Sequence, residues 1–441
     1  MATEPETIAQ GDEQIGQGGA RAPGQVILLL MAIVFISHFN RVSIATAGDT
    51  RIMEQYGISP TRMGFVYSSF LFMYAAFMIP GGILIDRVGP RAALMTVGFG
   101  SAAFLGLTGA VGLCLEGMVP VFLGLLVVRG LMGMVSAPLH PSCARAVGNW
   151  IPPSSRSRIN GLVNGSALLG IAATPPWFGA LINRVNWPVA FLVLAGLTVV
   201  VAFAWMIYAS DGPEERKLVA EEPLPEAVSN DTGAWYQLLR CRSLVLLTLA
   251  YAAVSYFQYL FFYWMSYYFE TVLKLPAVQS HNYAALPPLA MAIGMPLGGW
   301  LSDRLERARG SPASRRVVPM AGLAAGAFFL LCGVLARAPE WIVVWFALAL
   351  LAVGMAEGPS WATAIELGGR RGGSAGAVLN FGGNAGGFLA PIVTPWVGQL
   401  LGWSYAVALG GLVCLAGVVL WIGIDPTERP PGPSFNRHRG D

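Results

Sequence analysis

The stretch "PGGILIDRVGPR" (80–91) decides the fold, because a variant of it returns later in the chain as "LGGWLSDRLERAR" (297–309). Both copies follow an apolar run and place two glycines before an Asp-Arg pair. Three shorter segments recur in the same order: "GMVSAP" (133–138) with "GMAEGP" (354–359), "GLVNGS" (161–166) with "AVLNFGGN" (377–384), and "PWFG" (176–179) with "PWVG" (395–398). Four matched pairs in register predict two homologous halves.

The composition indicates a membrane protein whose main partner is the lipid bilayer. Of the 441 residues, 55% are hydrophobic and only 12% are charged, whereas soluble domains carry about 25% charged residues. The net charge of +3 gives no reason to expect a nucleic-acid partner. The five cysteines are widely separated and form no CxxC motif, so we expect neither a disulfide framework nor a metal site. We expect a monomer without a cofactor.

The hydrophobic segments predict an all-α membrane protein with 12 transmembrane helices in two pseudo-symmetric six-helix bundles. A spanning helix needs about 20 apolar residues. The predicted spans are 25–47, 61–84, 92–114, 118–141, 158–182, 187–209, 243–269, 281–302, 317–336, 340–364, 374–400 and 403–424.

The distribution of basic residues predicts the orientation of the chain. An even number of spans puts both termini on one side, and most of the 27 Lys and Arg residues fall on that side. Basic loops stay in the cytoplasm, so we expect an N-in/C-in protein of the cell (inner) membrane. The predicted parts are a disordered cytoplasmic tail (1–24), the N-terminal bundle (25–209), a cytoplasmic linker (210–242), the C-terminal bundle (243–424) and a second cytoplasmic tail (425–441).

The pattern G-G-x-x-x-D-R-x-G-x-R at 81–91 resembles the signature loop of the major facilitator superfamily. This resemblance covers about 25–425 and implies the major facilitator fold, in which a site between two bundles alternates between the membrane sides. It also implies that charged residues of the two related loops form networks that hold a gate closed. The residues concerned are Asp86, Arg87, Arg91, Asp303 and Arg304.

Several segments resemble one branch of that superfamily, the anion:cation symporters, which carry D-galactonate, hexuronate, sialic acid and glutamate. The matching pieces are Arg41, "YAAFMIPGG" (74–82), Arg129, "FFYWMSYY" (261–268) and "NFGGNAGG" (380–387). The resemblance implies a secondary active transporter that moves a small organic anion, such as a sugar acid, by alternating access. We do not expect an enzyme, because no nucleophile–base pair or metal cluster recurs in the spans.

Two arginines lie inside apolar spans and predict an anion site. An arginine at the centre of a spanning helix costs about 2.5–3.5 kcal/mol, which a bound anion would offset. Arg41 and Arg129 fall at similar depths, and a guanidinium binds a carboxylate through two hydrogen bonds. The alternative is that each arginine pairs internally or extends towards the membrane surface.

Other polar and aromatic residues are candidates for the lining of this site. Tyr74 and Trp361 match family positions near the substrate, Gln258 is the repeat partner of Arg41, and the remaining candidates are Tyr259, Asn164, Asn380 and Asn384. Amides in membrane helices also join helices to one another, and that reading stays open.

The residues that usually carry protons in this family are missing. The family resemblance implies an aspartate before the first-span arginine and a glutamate seven residues after the fourth-span arginine, where this chain has Asn40 and Ser136. The repeat aligns Glu357 with Ser136, so we hypothesise that the titratable group has moved to the other half. The alternative is a structural acid paired with Arg370 or Arg371.

Two histidines are further candidates for coupling. His140 shares a predicted helix face with Arg129 and Ser136, and His38 lies three residues before Arg41. Each also fits a packing residue with a hydrogen bond. The alternatives for function are an organophosphate or anion exchanger, a uniporter without proton coupling, and a transporter-like sensor.

Overall fold

The structure is a computed structural model that describes residues 23–211, 238–310 and 312–428. Within these ranges the chain is helical and forms no strand. Most of the two predicted tails and most of the predicted linker lie outside the described residues, so those domain boundaries stay predictions.

Each half of the repeat is a group of helices. The helices of the first half are α1 (Pro23–Ala47), α2 (Met53–Tyr56), α3 (Pro60–Ala76), α4 (Met78–Cys114), α5 (Met118–Ser136), α6 (Leu139–Trp150), α7 (Pro153–Val185) and α8 (Trp187–Tyr208). Those of the second half are α9 (Arg242–Tyr267), α10 (Ala277–Arg309), α11 (Val317–Leu335), α12 (Pro339–Gly354), α13 (Glu357–Gly368), α14 (Gly372–Leu401) and α15 (Trp403–Ile422). Short 3₁₀ helices occupy Pro312–Arg316 and Gly369–Arg371.

Every predicted span falls on one of these helices or on a consecutive pair. By length and apolar composition, ten helices of the described ranges are able to cross a membrane, or 11 if one bent pair counts as a single span. Helix α14, in the place of the predicted eleventh span, is not among them because glycine, asparagine and proline dilute its apolar residues. The count of 12 and the orientation stay predictions.

The bent pair lies where one continuous span was expected at 61–84. Helix α3 ends at Ala76, and the chain bends by 49° before the segment Met78–Ile85. Pro80 explains the break, because proline has no N–H to donate to the carbonyl of Ala76 and its ring displaces that carbonyl. After the bend, Met78 at the start of α4 lies against α14 of the second half, with its Sδ 3.6 Å from the amide nitrogens of Asn380 and Asn384.

Helix α4 contains the signature loop at an internal break. Gly89 has a φ of +77°, so Met78–Cys114 consists of two helices that meet at this residue. A Cβ at position 89 would also lie 2.9 Å from Oδ1 of Asp211. Glycine is therefore required there both for its φ and for space.

The two halves repeat their internal packing. Helix α1 packs on α7, α3 on α5 and α4 on α8, and the equivalent pairs of the second half are α9 with α14, α10 with α12 and α11 with α15. Between the halves, α3 packs on α14, α7 on α10 and α1 on α9. The pseudo-symmetry predicted from the repeat is thus present in the packing.

The halves meet closely at one end, which we call the closed end. It carries the connections after α1, α7, α9 and α14. Ser68 donates its hydroxyl to the carbonyl of Phe388 at 2.7 Å, and the rings of Tyr67 and Tyr263 stack with centroids 5.1 Å apart. Gly64 lies so close to Pro391 that a Cβ there would be 2.0 Å from the proline carbonyl oxygen. These contacts seal the closed end, and the candidate functional site lies on their other side.

Candidate functional site

Arg41 lies on α1 where the two halves meet. Its side chain is 8% exposed, and its guanidinium donates a short hydrogen bond to the hydroxyl of Tyr259 on α9. Nε of Arg41 is buried without a hydrogen-bond partner. Among the described residues, Arg41 forms no ion pair, so no anionic side chain offsets its charge.

Three aromatic rings surround this guanidinium. Its Cζ is 5.2 Å from the ring centroid of Phe70, 5.3 Å from that of Tyr74 and 5.0 Å from that of Tyr259. Ring faces attract a cation but neutralise none of its charge. The structure therefore brings Tyr74 and Tyr259, two predicted lining residues, to Arg41, and adds Phe70.

Arg129 is fully buried behind α1. It donates to the backbone carbonyl of Asn40 at 3.2 Å and to that of Arg41 at 2.6 Å, and its other terminal nitrogen contacts Sδ of Met132. In this conformation Arg129 holds the backbone beside Arg41, and the ring of Phe70 lies near both guanidinium groups. A direct contact with an anion stays a prediction.

Glu357 is held in the second half by neutral donors. The hydroxyl of Tyr251 donates to Oε1 at 2.5 Å, and the amide of Gln258 donates to Oε2 at 3.0 Å. The indole of Trp361 donates to the same tyrosine hydroxyl at 3.0 Å. Within the described part of the chain Glu357 forms no ion pair, with Arg371 or any other cation. The side chain of Arg370 lies outside the described residues.

The acid and the arginine are linked through consecutive residues of α9. Gln258 donates a hydrogen bond to Glu357 on one side. Its neighbour Tyr259 accepts a hydrogen bond from Arg41 across the seam, the surface where the two halves meet. The structure thus places Gln258, Tyr259 and Trp361 in one network with Glu357. Helix α13 begins at Glu357 after the turn Met355–Ala356, which places the acid at a helix end that favours negative charge.

The two predicted amides of α14 face the first half. The Nδ2 atoms of Asn380 and Asn384 each lie 3.6 Å from Sδ of Met78 on α4, and Asn384 also donates to the carbonyl of Asn380. A thioether is a weak acceptor. These amides therefore have only weak partners across the cavity.

The two histidines form a separate group in the first half. Nδ1 of His38 lies 2.9 Å from the carbonyl oxygen of Val34, and Nδ1 of His140 lies 3.2 Å from Oδ1 of Asn164. Their ring centroids are 5.2 Å apart. The pair is compatible with packing and with proton binding, so both readings stay open.

Asn40 and Ser136 face the interior of the first half. The amide of Asn40 donates to the hydroxyl of Thr198 at 3.0 Å, and the hydroxyl of Ser136 donates to the carbonyl of Met132 at 2.7 Å. They are 0% and 5% exposed. In this conformation neither residue reaches Arg41 or Glu357 with its side chain.

The predicted gating residues lie at the end opposite the closed end. Arg91 donates to the carbonyl of Met206 at 2.6 Å, and the guanidinium of Arg304 lies over the ring of Trp300. Arg87 and Asp303 are exposed, and the side chain of Asp86 lies outside the described residues. A gating network among them stays a prediction.

Three contributors to the site were missed from the sequence. Phe70 and Tyr251 were not singled out individually, and Met78 lies in the segment "YAAFMIPGG" (74–82) but was not named as a lining residue. A helical-period count would have found Phe70, because it lies four residues before Tyr74 and residues at this spacing share one helix face.

Comparison with known proteins identifies the relatives of this chain. Residues 30–391 match the family described as Major Facilitator Superfamily. The chain is 26% identical over 409 residues to a probable sulfoacetate transporter of Cupriavidus necator, with 90% of this chain and 91% of that protein covered. It is 27% identical over 406 residues to a probable L-galactonate transporter of Escherichia coli, with 90% and 88% covered. It is 26% identical over 406 residues to a hexuronate transporter of Bacillus subtilis, with 90% and 93% covered.

The fold also matches solved structures. A bacterial homolog of the human lysosomal transporter Spinster, in an inward-facing and unoccupied conformation, aligns with a TM-score of 0.73 and 17% sequence identity. The alignment covers 91% of this chain and 95% of that one. At this identity the likeness concerns the fold alone.

Proposed function

This chain belongs to the Major Facilitator Superfamily, and we propose that within it the protein is a secondary active transporter of a small organic anion with a carboxylate group. Its family and its transporter relatives make it a multi-pass membrane transporter and not an enzyme. Sugar acids such as galactonate and hexuronate are the first substrates to consider, because the names of relatives specify them. The proposed location is the cell (inner) membrane.

The uncompensated charge of Arg41 carries this proposal. The guanidinium is buried at the seam of the halves, and its neighbours are phenol and phenyl rings. Because a desolvated cation is costly inside a membrane, a carboxylate that accepts its hydrogen bonds is strongly favoured there. Arg129 supports the site indirectly, since it anchors the backbone carbonyl of Arg41.

Glu357 is the proposed proton carrier. Its carboxylate is held by Tyr251 and Gln258, and the chain continues from Gln258 to Tyr259, which holds Arg41. An anion that binds Arg41 competes with the Tyr259 hydroxyl for the guanidinium. Movement of Tyr259 then alters the contact of Gln258 with Glu357, which gives the anion and the proton a direct means of communication.

The contacts between the two halves support the proposal of alternating access. In this conformation α3 and α14 seal the closed end, and the contacts of Arg41 and Met78 lie beneath that seal. With the N-terminus in the cytoplasm, the closed end faces outward and this conformation opens inward. Release of the closed-end contacts would expose Arg41 to the outside.

Uptake into proteoliposomes tests the function. The full-length protein is assayed with labelled galactonate, glucuronate and sulfoacetate, and with glucose 6-phosphate as the phosphate ester, each with and without a pH gradient. We expect saturable uptake of at least one carboxylate and no competition from the phosphate ester. Competition by the phosphate ester alone would instead support an organophosphate exchanger.

The Glu357→Gln variant tests the coupling. We expect it to lose uptake driven by the pH gradient but to keep exchange of internal for external anion, because exchange needs no net proton movement. Glu340→Gln, which changes an exposed acid in the first turn of α12, is the matched control. Unchanged gradient-driven uptake by Glu357→Gln would rule out this carrier.

A further inference from the structure

Each half carries an acid in a π-helical turn at the closed end. The first π turn, Gly48–Ile52, follows α1 and contains Asp49, and the second π turn, Tyr268–Val272, follows α9 and contains Glu270. These are equivalent places in the repeat, and the two turns contact each other across the seam. Because π-helical turns are rare and occur often at functional sites, this pseudo-symmetric pair of turns is a candidate functional feature.

Asp49 is almost completely removed from solvent. Its side chain is 2% exposed, and Oδ1 lies 3.5 Å from the hydroxyl of Tyr67 on α3. Oδ2 is buried without a hydrogen-bond partner, and among the described residues no cation forms an ion pair with this carboxylate. A buried, ionised carboxylate with an oxygen left unsatisfied is costly, and a bound proton removes that cost.

Gly48 allows Tyr67 to approach Asp49. A Cβ at position 48 would lie 2.2 Å from the tyrosine hydroxyl. The ring of Tyr67 also stacks on Tyr263 of the second half, so the residue that contacts Asp49 is itself part of the seal.

Glu270 has an equivalent arrangement in the second half. Its Oε2 lies 3.7 Å from Nε2 of His281. His281 is on α10, which is the equivalent in the second half of α3, the helix that carries Tyr67. His281 in turn packs against Gly179 of α7, because a Cβ at position 179 would lie 2.2 Å from its Nδ1. Each acid therefore contacts a residue that touches the opposite half.

The charged and titratable groups around this pair are few. In the first half they are Tyr67 on α3, Arg51 in the first π turn and Glu54 on α2. In the second half they are Tyr263 and Tyr267 on α9, Glu270 in the second π turn and His281 on α10. Arg51 is exposed and donates to Oδ1 of Asn183. Across the seam, the acid that acts electrostatically on Asp49 is Glu270.

We propose that Asp49 and Glu270 form a proton-binding site at the closed end, where one bound proton allows the two halves to close and its loss favours opening. When both acids are ionised, closure brings two like charges together in a buried place. When Asp49 is protonated, it gains a donor and its charge disappears. This site is separate from Glu357, and the inference rests on the proposed alternation between open and closed forms.

The direction of the pH dependence follows from burial. Burial raises the pKa of Asp49 well above its ordinary value, the Glu270 carboxylate raises it further, and hydrogen bonds from the Tyr267 backbone and Tyr67 offset only part of this. Opening restores solvent and lowers the pKa again. Stabilisation of the closed form by the proton is therefore fully present below the open-form pKa and is lost as pH rises through the raised closed-form pKa.

Distances between spin labels across the closed end test this inference without measuring transport. Labels are placed at Arg184→Cys and Arg337→Cys, which are exposed at the closed end of the two halves, in a background with the five native cysteines replaced. The full-length protein is measured by double electron–electron resonance in detergent micelles from about pH 5 to about pH 9, without substrate. We expect the ratio of closed to open molecules to rise by up to about tenfold for each unit of falling pH, as linkage to one proton requires.

Variants separate this pair from other titrating groups. Asp49→Asn is expected to stay closed at all pH values, and Tyr67→Phe is expected to move the midpoint to higher pH, because it removes a donor to the ionised carboxylate. Glu54→Gln, which changes an exposed acid at the same end, is expected to keep the wild-type response. A wild-type distance that does not depend on pH, or a wild-type response in Asp49→Asn, would overturn the inference. If the uptake screen found no transported carboxylate but the distance still depended on pH, the proposed substrate class would be wrong, whereas the proton-binding site at the closed end would be supported.

Discussion

Arg41 and Arg129 lie on neighbouring helices, but their guanidinium groups have different surroundings. Arg41 lies among three aromatic rings and donates to the hydroxyl of Tyr259, whereas Arg129 lies near Phe70 and donates to two backbone carbonyls. A charge inside an apolar run is visible in the sequence, and both residues were singled out in this way. The acceptors of Arg129 were not predictable, because they depend on where α5 crosses α1.

This difference predicts opposite effects on stability and binding. Arg129→Gln is expected to lower the melting temperature, because each charge-assisted hydrogen bond contributes about 1.5–3 kcal/mol. It is expected to keep part of the rise in melting temperature that the transported anion produces. Arg41→Gln is expected to lose that rise with little loss of stability without the anion.

Thermal unfolding of both variants, with and without the best anion of the uptake screen, checks this pair. If Arg129→Gln melted like the wild type but no longer responded to the anion, Arg129 would be a direct ligand.

At Glu357, alignment of the repeat pointed to the residue but not to its hydrogen-bond partners. The alignment with Ser136 singled out this acid, and the alternative interpretation was a structural ion pair with Arg370 or Arg371. The structure instead gives it Tyr251 and Gln258 from α9 as partners. These partners come from a helix that is distant in sequence, so the residue pattern of α13 alone does not reveal them.

At the scale of elements, hydrophobic length predicted most helix positions within a few residues. The predicted 187–209 is the helix Trp187–Tyr208, and the predicted 403–424 is Trp403–Ile422. The two π turns were not predicted, since their sequences are compatible with an ordinary last turn and their form depends on contacts across the seam. The bend at Phe77 was predictable in principle from Pro80.

One helix start depends on a residue beyond the last span. Glu428 accepts from the backbone N–H groups of Arg242 at Oε1 and Ser243 at Oε2, both at 3.0 Å, at the beginning of α9. The first N–H groups of a helix have no partner inside the helix, so this carboxylate acts as an N-terminal cap. The segment after α15 thus anchors the central helix that carries Gln258 and Tyr259.

Removal of this cap is expected to lower stability in a pH-dependent way. Partial burial alone would raise the pKa of Glu428, but hydrogen bonds from Ser243 and Arg242 lower it below its ordinary value. The contribution to stability is therefore present above the unfolded-state pKa and is lost as pH falls through the lowered pKa.

Melting temperatures of the wild type and Glu428→Ala across pH test the cap. We expect a loss of about 1 kcal/mol at neutral pH, the usual effect of losing a cap, that disappears in acid. Asp425→Ala is not a suitable control because the Asp425 carboxylate accepts hydrogen bonds from Thr427 in the same segment as Glu428, so Glu340→Ala serves instead. An equal loss in both variants would contradict the cap.

At the scale of the whole molecule, the repeat predicted two halves, and the packing confirms them. Which end is closed was not predictable, because under the proposed alternation one sequence supports both arrangements. The close approach of Gly64 to Pro391 joins α3 to α14 at the closed end.

A larger side chain at this approach is expected to open the closed end. In Gly64→Leu the new Cβ would lie 2.0 Å from the carbonyl oxygen of Pro391, so the halves must separate there. The distance between labels at Arg184→Cys and Arg337→Cys is expected to increase. Gly161→Leu, where nothing lies within 4 Å of the new Cβ, is the control and is expected to leave the distance unchanged. Equal distances in Gly64→Leu and the wild type would show that this contact does not hold the end closed.

The anion site at Arg41 is the centre of the account, and uptake by Arg41 variants tests it most directly. Initial rates are compared for the wild type, Arg41→Lys, Arg41→Gln and the exposed-arginine control Arg184→Gln with the best carboxylate of the screen. We expect Arg184→Gln to transport normally. Arg41→Lys is expected to be impaired, because an ammonium cannot form the bidentate hydrogen bonds of a guanidinium. Arg41→Gln is expected to lose about 100-fold in kcat/KM, which corresponds to about 3 kcal/mol. Uptake by Arg41→Gln at the wild-type rate would contradict the account.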